Sequence, residues 1–104
     1  FPVITMNPEP EDTINGVWMP TVVFQVETGI KRELLLEIFN YENIDGRVFF
    51  HPLSELPMFK ERLSNVNSYN VSKRAINLPS YNDMTEFDIE RVANCVVMAL
   101  GNKA

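Results

Sequence analysis

The stretch TEFDIERVANCVVMAL, residues 85–100, is the feature that most constrains how this chain can fold. Its apolar residues recur at helical spacing, at Ile89, Val92, Ala93, Val96 and Leu100. An acid stands three residues after Thr85, which makes a capping box with Asp88 in place of Glu. Gly101 is a natural stop for the helix. The sequence therefore predicts a long amphipathic helix here, with one side against a core.

Short apolar stretches separated by prolines and polar residues make up the rest of the chain. The stretch 2–6 is β-branched and apolar, and 17–26 is almost wholly apolar, so both predict strands. Pro20 lies inside the second stretch and therefore indicates an edge strand or a bulge. The polar segment between these strands, NPEPEDTING, predicts a surface loop.

The middle of the chain predicts a helix followed by shorter elements. Thr28 is a candidate N-cap for a helix running through about Glu42, with four apolar residues on one face, Leu34, Leu35, Ile38 and Phe39. Gly46 then permits a turn into a short strand, RVFF. Residues 65–69 predict a turn and NVSKRAI a short helix, while INLPSYND predicts a short strand ended by Pro79.

The resulting order is strand, strand, helix, strand, short helix, strand, helix. It predicts an α+β fold, with a small mixed or antiparallel sheet and helices packed on one face. A chain of 104 residues fits one domain, so we expect residues 1–104 to form a single unit.

Charge and composition exclude several classes of function. The net charge of −5 argues against a nucleic-acid or anionic-membrane surface, because both require a broad basic patch. No apolar run approaches the roughly 20 residues of a membrane span. The single Cys95 precludes an internal disulfide, which favours a reducing cytoplasm. One Cys and one His also exclude a zinc site built from these residues.

The stretch GRVFFHPLSELPMF, residues 46–59, carries the candidate functional residues. Arg47 is either an edge arginine in an ion pair or a residue whose guanidinium binds phosphate or carboxylate through two parallel hydrogen bonds. His51, the only histidine, is either a loop residue bonded to backbone or water, or a ligand contact at the mouth of a cleft.

Other residues have simpler interpretations. Cys95 is expected to be a small buried hydrophobe, and Trp18 and the phenylalanines are expected to lie in the core. Lys73 and Arg74 predict a solvated face. The residues contain no glycine-rich loop and no self-contained catalytic set.

Three stretches in this order, NGVWMPTVVF, IDGRVFFHPLSELPMF and INLPSYNDMTEFDIERV, resemble the C-terminal portion of the sugar aminotransferases of the DegT/DnrJ/EryC1/StrS family. The resemblance covers the chain from about Val3 to Leu100. It implies the small C-terminal domain of a fold-type-I aminotransferase. It also implies a parent enzyme of polysaccharide biosynthesis that transfers an amino group from glutamate to a nucleotide-linked keto sugar.

The resemblance also implies the cofactor and the partners. Pyridoxal phosphate would form a Schiff base with a lysine of the large domain, in a motif that this chain lacks, so the chain alone is expected to bind no cofactor and to be inactive. The implied partners are that large domain of the same chain, a second subunit in a homodimer, and the nucleotide-sugar substrate; the charge and the apolar runs described above argue against nucleic acid and membrane as partners.

In this family, the loop after the arginine strand contacts the sugar nucleotide, so the resemblance implies Arg47, His51 and Ser54 as the substrate-binding set. Many members carry a histidine where this chain has Ser54, whereas His51 stands just before the Pro-Leu pair. Pro52 and Pro57 would stiffen the loop and lower the entropy lost on binding.

The alternative hypothesis is a free-standing, non-catalytic α+β domain that binds a protein or a small ligand. The chain begins in mid-pattern at Phe1 rather than at Met, which favours a domain of a longer protein. A removed partner domain would leave an exposed apolar face, whereas a free-standing domain would have none.

Overall fold

A four-stranded antiparallel sheet forms one layer of the molecule in the computed structural model, which describes residues 2–101. The strands are β1 (Ile4–Met6), β2 (Thr21–Phe24), β3 (Arg47–Val48) and β4 (Ala75–Asn77). Their order in the sheet is β1-β2-β4-β3, and each neighbouring pair is antiparallel. Residues 1 and 102–104, which belong to the predicted single domain, lie outside the described residues.

Three α-helices accompany the sheet, α1 (Arg32–Tyr41), α2 (Val66–Ser72) and α3 (Glu86–Gly101). Short 3-10 turns lie at Val26–Thr28 and Leu53–Glu55. The order of strands and helices matches the predicted order, and the predicted α+β fold is confirmed. No helix among residues 2–101 has the length and apolarity to cross a bilayer.

The core lies between the sheet and the pair α1 and α3. Val22 pairs with Ile76 and Ile4 pairs with Phe24, so these side chains share one face of the sheet. That face meets the buried side of α1 and of α3 in a cluster that includes Val22, Phe24, Leu35, Phe39, Ile76, Val92, Cys95, Val96 and Ala99. Helix α1 also packs directly against α3.

The strand β2 is shorter than predicted and is not an edge strand. It begins at Thr21, directly after Pro20, and lies between β1 and β4. The side-chain amide of Asn7 bonds the backbone on both sides of the proline, donating to Met19 O at 2.7 Å and accepting from Thr21 N at 2.8 Å. The proline cannot donate to a ladder, and this amide satisfies the polar groups beside it.

Helix α1 begins later than predicted, because Thr28 closes a separate turn. Its hydroxyl donates to Gln25 O at 2.7 Å and accepts from Ile30 N at 3.1 Å, and Gly29 follows with φ 66°. Helix α1 then starts at Arg32 without a side-chain cap. The predicted apolar face is confirmed, with Leu35 and Phe39 buried.

Helix α2 occupies the segment for which the sequence predicted a turn and then a short helix. It spans Val66–Ser72, and β4 begins at Ala75, inside the predicted helix. Tertiary contacts override the weak local preferences here, because Ser72 is buried and β4 pairs with β2 and β3 on its two sides.

The predicted capping box at the start of α3 is confirmed. Thr85 Oγ1 accepts from Asp88 N, and Thr85 N donates to the Asp88 carboxylate, both at 3.1 Å. Each bond satisfies a polar group that the first turn of a helix leaves open. Gly101, the predicted stop, is the last described residue and is still helical.

Candidate functional site

A cavity of about 620 Å³, here called the polar cavity, opens at the end of the sheet where β3 starts and β4 ends. Loops before β2, after α1 and after β4 converge on it together with the first turns of α3. Its lining mixes aromatic, charged and amide side chains, including Trp18, Asp45, Arg47, Asn77, Tyr81, Asp88 and Arg91. Such a mixture of one apolar surface with convergent polar groups is typical of a small-molecule site.

Arg47 lines this cavity from the first position of β3. It pairs with Asn77 across the sheet, and its guanidinium contacts the Asp45 carboxylate at 3.0 Å. Both side chains are 76% exposed, and an exposed ion pair contributes little to stability. The ion-pair interpretation of Arg47 is therefore confirmed. The guanidinium also lines the cavity, at a position from which it can form two parallel hydrogen bonds to an anion.

Trp18, which lines the same cavity as Arg47, forms an exposed aromatic pair with Phe50. Their ring centroids lie 6.2 Å apart with an angle of 23° between the planes, and Phe49 meets Phe50 edge to face. Trp18 is 74% exposed, so its predicted place in the core is wrong. Phe24 and Phe39 are in the core as predicted, whereas the prediction is wrong for Phe50, Phe59 and Phe87, which are exposed.

A hydrogen-bonded group from α3 and the loop before it lines another part of the cavity. The Tyr81 hydroxyl donates to Asp88 at 2.9 Å, and the same carboxylate accepts from Thr85 N. The Thr85 backbone bond and then the Tyr81 bond hold the pKa of Asp88 below its ordinary value. The bond to Asp88 conversely raises the pKa of Tyr81.

Arg91 links the cavity to the end of α1, since its guanidinium donates to Glu42 O at 2.8 Å. The cavity thus contains two cations, Arg47 and Arg91, and two carboxylates, Asp45 and Asp88. The charges in its lining balance, so recognition of an anion would depend on geometry at an individual guanidinium rather than on a net positive field.

His51 and Ser54 lie outside the lining of the polar cavity. His51 Nδ1 is 3.9 Å from the Glu55 carboxylate, and the Ser54 hydroxyl is hydrogen-bonded to the Tyr69 hydroxyl. The structure therefore brings Arg47 to the cavity and leaves the other two predicted residues on the adjoining loop. Their predicted role in binding stays a prediction.

The sequence analysis missed most of the cavity lining. Asp88 is predicted only as a cap, and Tyr81 lies in the segment INLPSYND, which predicts a short strand and carries part of the family resemblance but no functional role. Asn77 and Arg91 carried no local signal, because their proximity depends on the sheet register and on the docking of α3. Nothing in the sequence distinguished Trp18 from a core aromatic.

Two other residues behave largely as structural groups. Cys95 is buried in the core, as predicted, and burial raises the pKa of its thiol. Arg74 is half-buried, and its guanidinium donates to Phe24 O and to Asn70 Oδ1. The predicted solvated face therefore holds for Lys73, which is exposed, and is wrong for Arg74.

A second concavity, the apolar groove, lies between β1 and the outer side of α3 and has a volume of about 340 Å³. Its lining contains no charged side chain; it includes Ile4, Met6, Val22, Ile89, Val92, Ala93, Val96 and Val97. Leu78, Pro79, Ser80, Met84 and Val92 line both the groove and the polar cavity, so they form a shared wall.

Residues 2–101 offer no side chain suited to hold pyridoxal phosphate covalently. The cofactor requires a lysine amine placed in a pocket, and no lysine in the part of the chain that the structure describes lines any of the described cavities. Lys31, Lys60 and Lys73 are exposed. These residues therefore do not fit the cofactor.

Comparison with known proteins gives the family. GDP-perosamine synthase from Vibrio cholerae is 28% identical to the chain over 91 residues, which are 85% of this chain and 25% of that relative. The chain thus spans about a quarter of the length of the curated relative it matches. The sequence pattern of one family matches residues 1–97, nearly the whole chain. The chain therefore belongs to the DegT/DnrJ/EryC1/StrS aminotransferase family.

Proposed function

We propose that this chain is the small C-terminal domain of a pyridoxal-phosphate-dependent sugar aminotransferase, and that it lines the pocket for the substrate. The enzyme moves an amino group from glutamate to a nucleotide-linked keto sugar. The reactive lysine belongs to a large domain outside these residues, and the complete enzyme is a homodimer. Family membership together with the polar cavity around Arg47 and Trp18 carries this proposal.

The chemistry of the cavity suits a sugar nucleotide. A guanidinium binds phosphate oxygens in a two-pronged geometry, and Arg47 presents one at the cavity wall. An exposed indole provides a flat apolar surface for a sugar ring or a base, and Trp18 lines the same cavity as that arginine. Amide and carboxylate groups such as Asn77 and Asp45 can pair with sugar hydroxyls.

The loop that carries His51 and Ser54 borders this surface. It follows β3 directly, and Pro52 is buried, which anchors the loop between the two residues. A loop that is fixed before binding loses less entropy when substrate arrives. We propose that His51 and Ser54 contact the substrate from this loop, next to Arg47.

The apolar groove favours this proposal over a free-standing binding domain. If a partner domain normally covers part of this chain, the chain without that domain exposes an apolar surface. The groove is such a surface.

Arg47→Ala in the complete enzyme tests the proposal. We expect the apparent KM for the nucleotide-linked sugar to rise by about tenfold, since a charged hydrogen bond contributes roughly 1.5–3 kcal/mol. Arg62→Ala is the matched control, because Arg62 is exposed and lines none of the described cavities. An unchanged KM for Arg47→Ala would remove this residue from the site.

A second experiment tests the proposal that the reactive lysine lies outside this chain. The 104-residue chain mixed with pyridoxal phosphate should show no imine absorbance that glutamate bleaches, because the lysines among residues 2–101 lie outside the described cavities. The appearance of such a band would place the reactive amine in this chain and contradict the proposal.

A further inference from the structure

The apolar groove marks an incomplete layer of helices. Ile4 faces the same side of the sheet as Phe24, and Met6 the same side as Val22, so β1 presents an apolar face toward the core layer. Among residues 2–101, α1 packs against β3, β4 and α3, whereas β1 packs mainly against β2. Val22 and Phe24 on β2 are buried, whereas Ile4 is half-buried and Met6 is 47% exposed, so the helices cover β1 less completely than β2.

The flank of α3 beside the groove has the form of a helix-packing surface. Ile89, Ala93 and Val97 are spaced four residues apart and form one stripe, slightly inclined to the helix axis. Alanine in the middle of the stripe permits the close approach that packed helices need, at an interaxial distance of roughly 8–10 Å. Ile89 and Val97 are 53% and 43% exposed, so the stripe is uncovered.

The groove selects a convex apolar occupant. A second copy of this chain joined groove to groove would set two concave surfaces against each other and fill neither. A strand added to β1 would lie at the edge of the sheet, away from the groove on its face. A helix with an uncharged side fits, because the lining contains no charged residue to pair with.

We propose that the apolar groove binds the uncharged face of an α-helix from the large domain of the same polypeptide, lying beside α3 and over β1. This inference rests on the proposed function, since the helix comes from the three quarters of the relative's length that the chain does not span. The helix completes the layer over the sheet and packs against the shared wall, from the side opposite the substrate.

Cysteine labelling tests this contact without measuring activity. Val97→Cys and Met98→Cys form a matched pair, because both positions are on α3 and both are 43% exposed, while only Val97 lines the groove. The native Cys95 is buried, so the introduced thiol is the accessible one in this chain. Each variant is prepared as the 104-residue chain and within the complete polypeptide that the gene encodes. Maleimide labelling rates are then read by peptide mass spectrometry.

We expect Val97→Cys to react at least about tenfold more slowly in the complete polypeptide than in the 104-residue chain, because packing protects it. Met98→Cys should react at similar rates in both. Equal rates for Val97→Cys, or equal protection at both positions, would overturn the groove contact. Protection that appears in the 104-residue chain as its concentration rises would assign the groove to a second copy and also overturn it.

Circular dichroism melts establish whether each variant is folded. If Val97→Cys does not fold, Ile89→Cys provides a second position in the same stripe. The test is independent of the proposed activity. Protection of Val97→Cys in a protein that transfers no amino group would support the contact and contradict the function. A gene that encodes no further domain would overturn the contact.

Discussion

The polar cavity and the apolar groove are neighbours that differ in almost every physical property. The cavity contains two guanidinium groups, two carboxylates and an exposed indole, whereas the groove has Ser80 as its only polar residue. Hydrogen bonds position the cavity residues, and apolar packing shapes the groove. One small fold therefore presents a surface suited to a polar ligand and another suited to protein, separated by a shared wall.

The largest expected effect comes from introducing a charged side chain into the shared wall. Val92 is 7% exposed and lines both concavities, so Val92→Asp should lower the free energy of unfolding by about 3 kcal/mol or more, because it buries an unpaired charge. Ala93→Asp is the control on the exposed flank of the groove and should cost less than about 1 kcal/mol, mostly through helix propensity. Urea denaturation of the isolated chain measures both. Equal losses would mean that the wall is no more buried than the groove.

A smaller loss is expected at Gly46, which lies between two residues that line the polar cavity, Asp45 and Arg47. A Cβ at Gly46 would collide with the ring of Phe39, which is buried in the core. Gly46→Ala should therefore destabilise the chain by about 1–3 kcal/mol through overpacking. Gly16→Ala meets no atom within 4 Å and should cause no loss. Methyl NMR shifts of groove residues such as Val97 should change little in Gly46→Ala, and large changes there would show that the two regions are not separable.

The third prediction uses pH to separate the two regions, because the groove contains no titratable side chain. The folded-state pKa of Asp88 is lowered by its bonds to Thr85 and Tyr81. The ionised carboxylate therefore stabilises the fold above its unfolded pKa of about 3.9, and this contribution is lost as pH falls below that value through the folded pKa. Asp88→Asn should remove this part of the acid dependence of stability.

Tyr81→Phe sharpens the same test. Loss of its hydroxyl should raise the pKa of Asp88 toward the ordinary value, as measured by NMR titration of the carboxyl carbon. Shifts of the groove methyl groups should stay constant through this titration. An unchanged Asp88 pKa would show that Tyr81 does not contribute to the cavity network.

The smallest effect is expected for the aromatic pair. Phe50→Ala should change the free energy of unfolding by less than about 1 kcal/mol, since it removes one exposed stacking contact. Trp18 is the only tryptophan, so acrylamide quenching of its fluorescence reports on the pair directly and should increase. Phe87→Ala, another exposed phenylalanine, should leave quenching unchanged. Identical quenching in both variants would argue against the stack.

The groove and the cavity also differ in how much the sequence could predict. Helix α3 followed from its capping box and its period, so one side of the groove was foreseeable from local pattern. The cavity was not, because it depends on Arg47 meeting Asn77 through strand register and on Arg91 reaching the end of α1. Helix α2 and Trp18 were misjudged for the same reason, since tertiary contacts decide whether a weak helix forms and whether an aromatic residue is buried.

The shared wall has a consequence for any attempt to redesign the chain. Leu78 and Met84 each present atoms to both sides of the partition, so a substitution that enlarges one compartment must alter its neighbour as well. Under the two proposals above, substrate preference and domain assembly would depend on the same side chains, and neither could be changed alone at these positions.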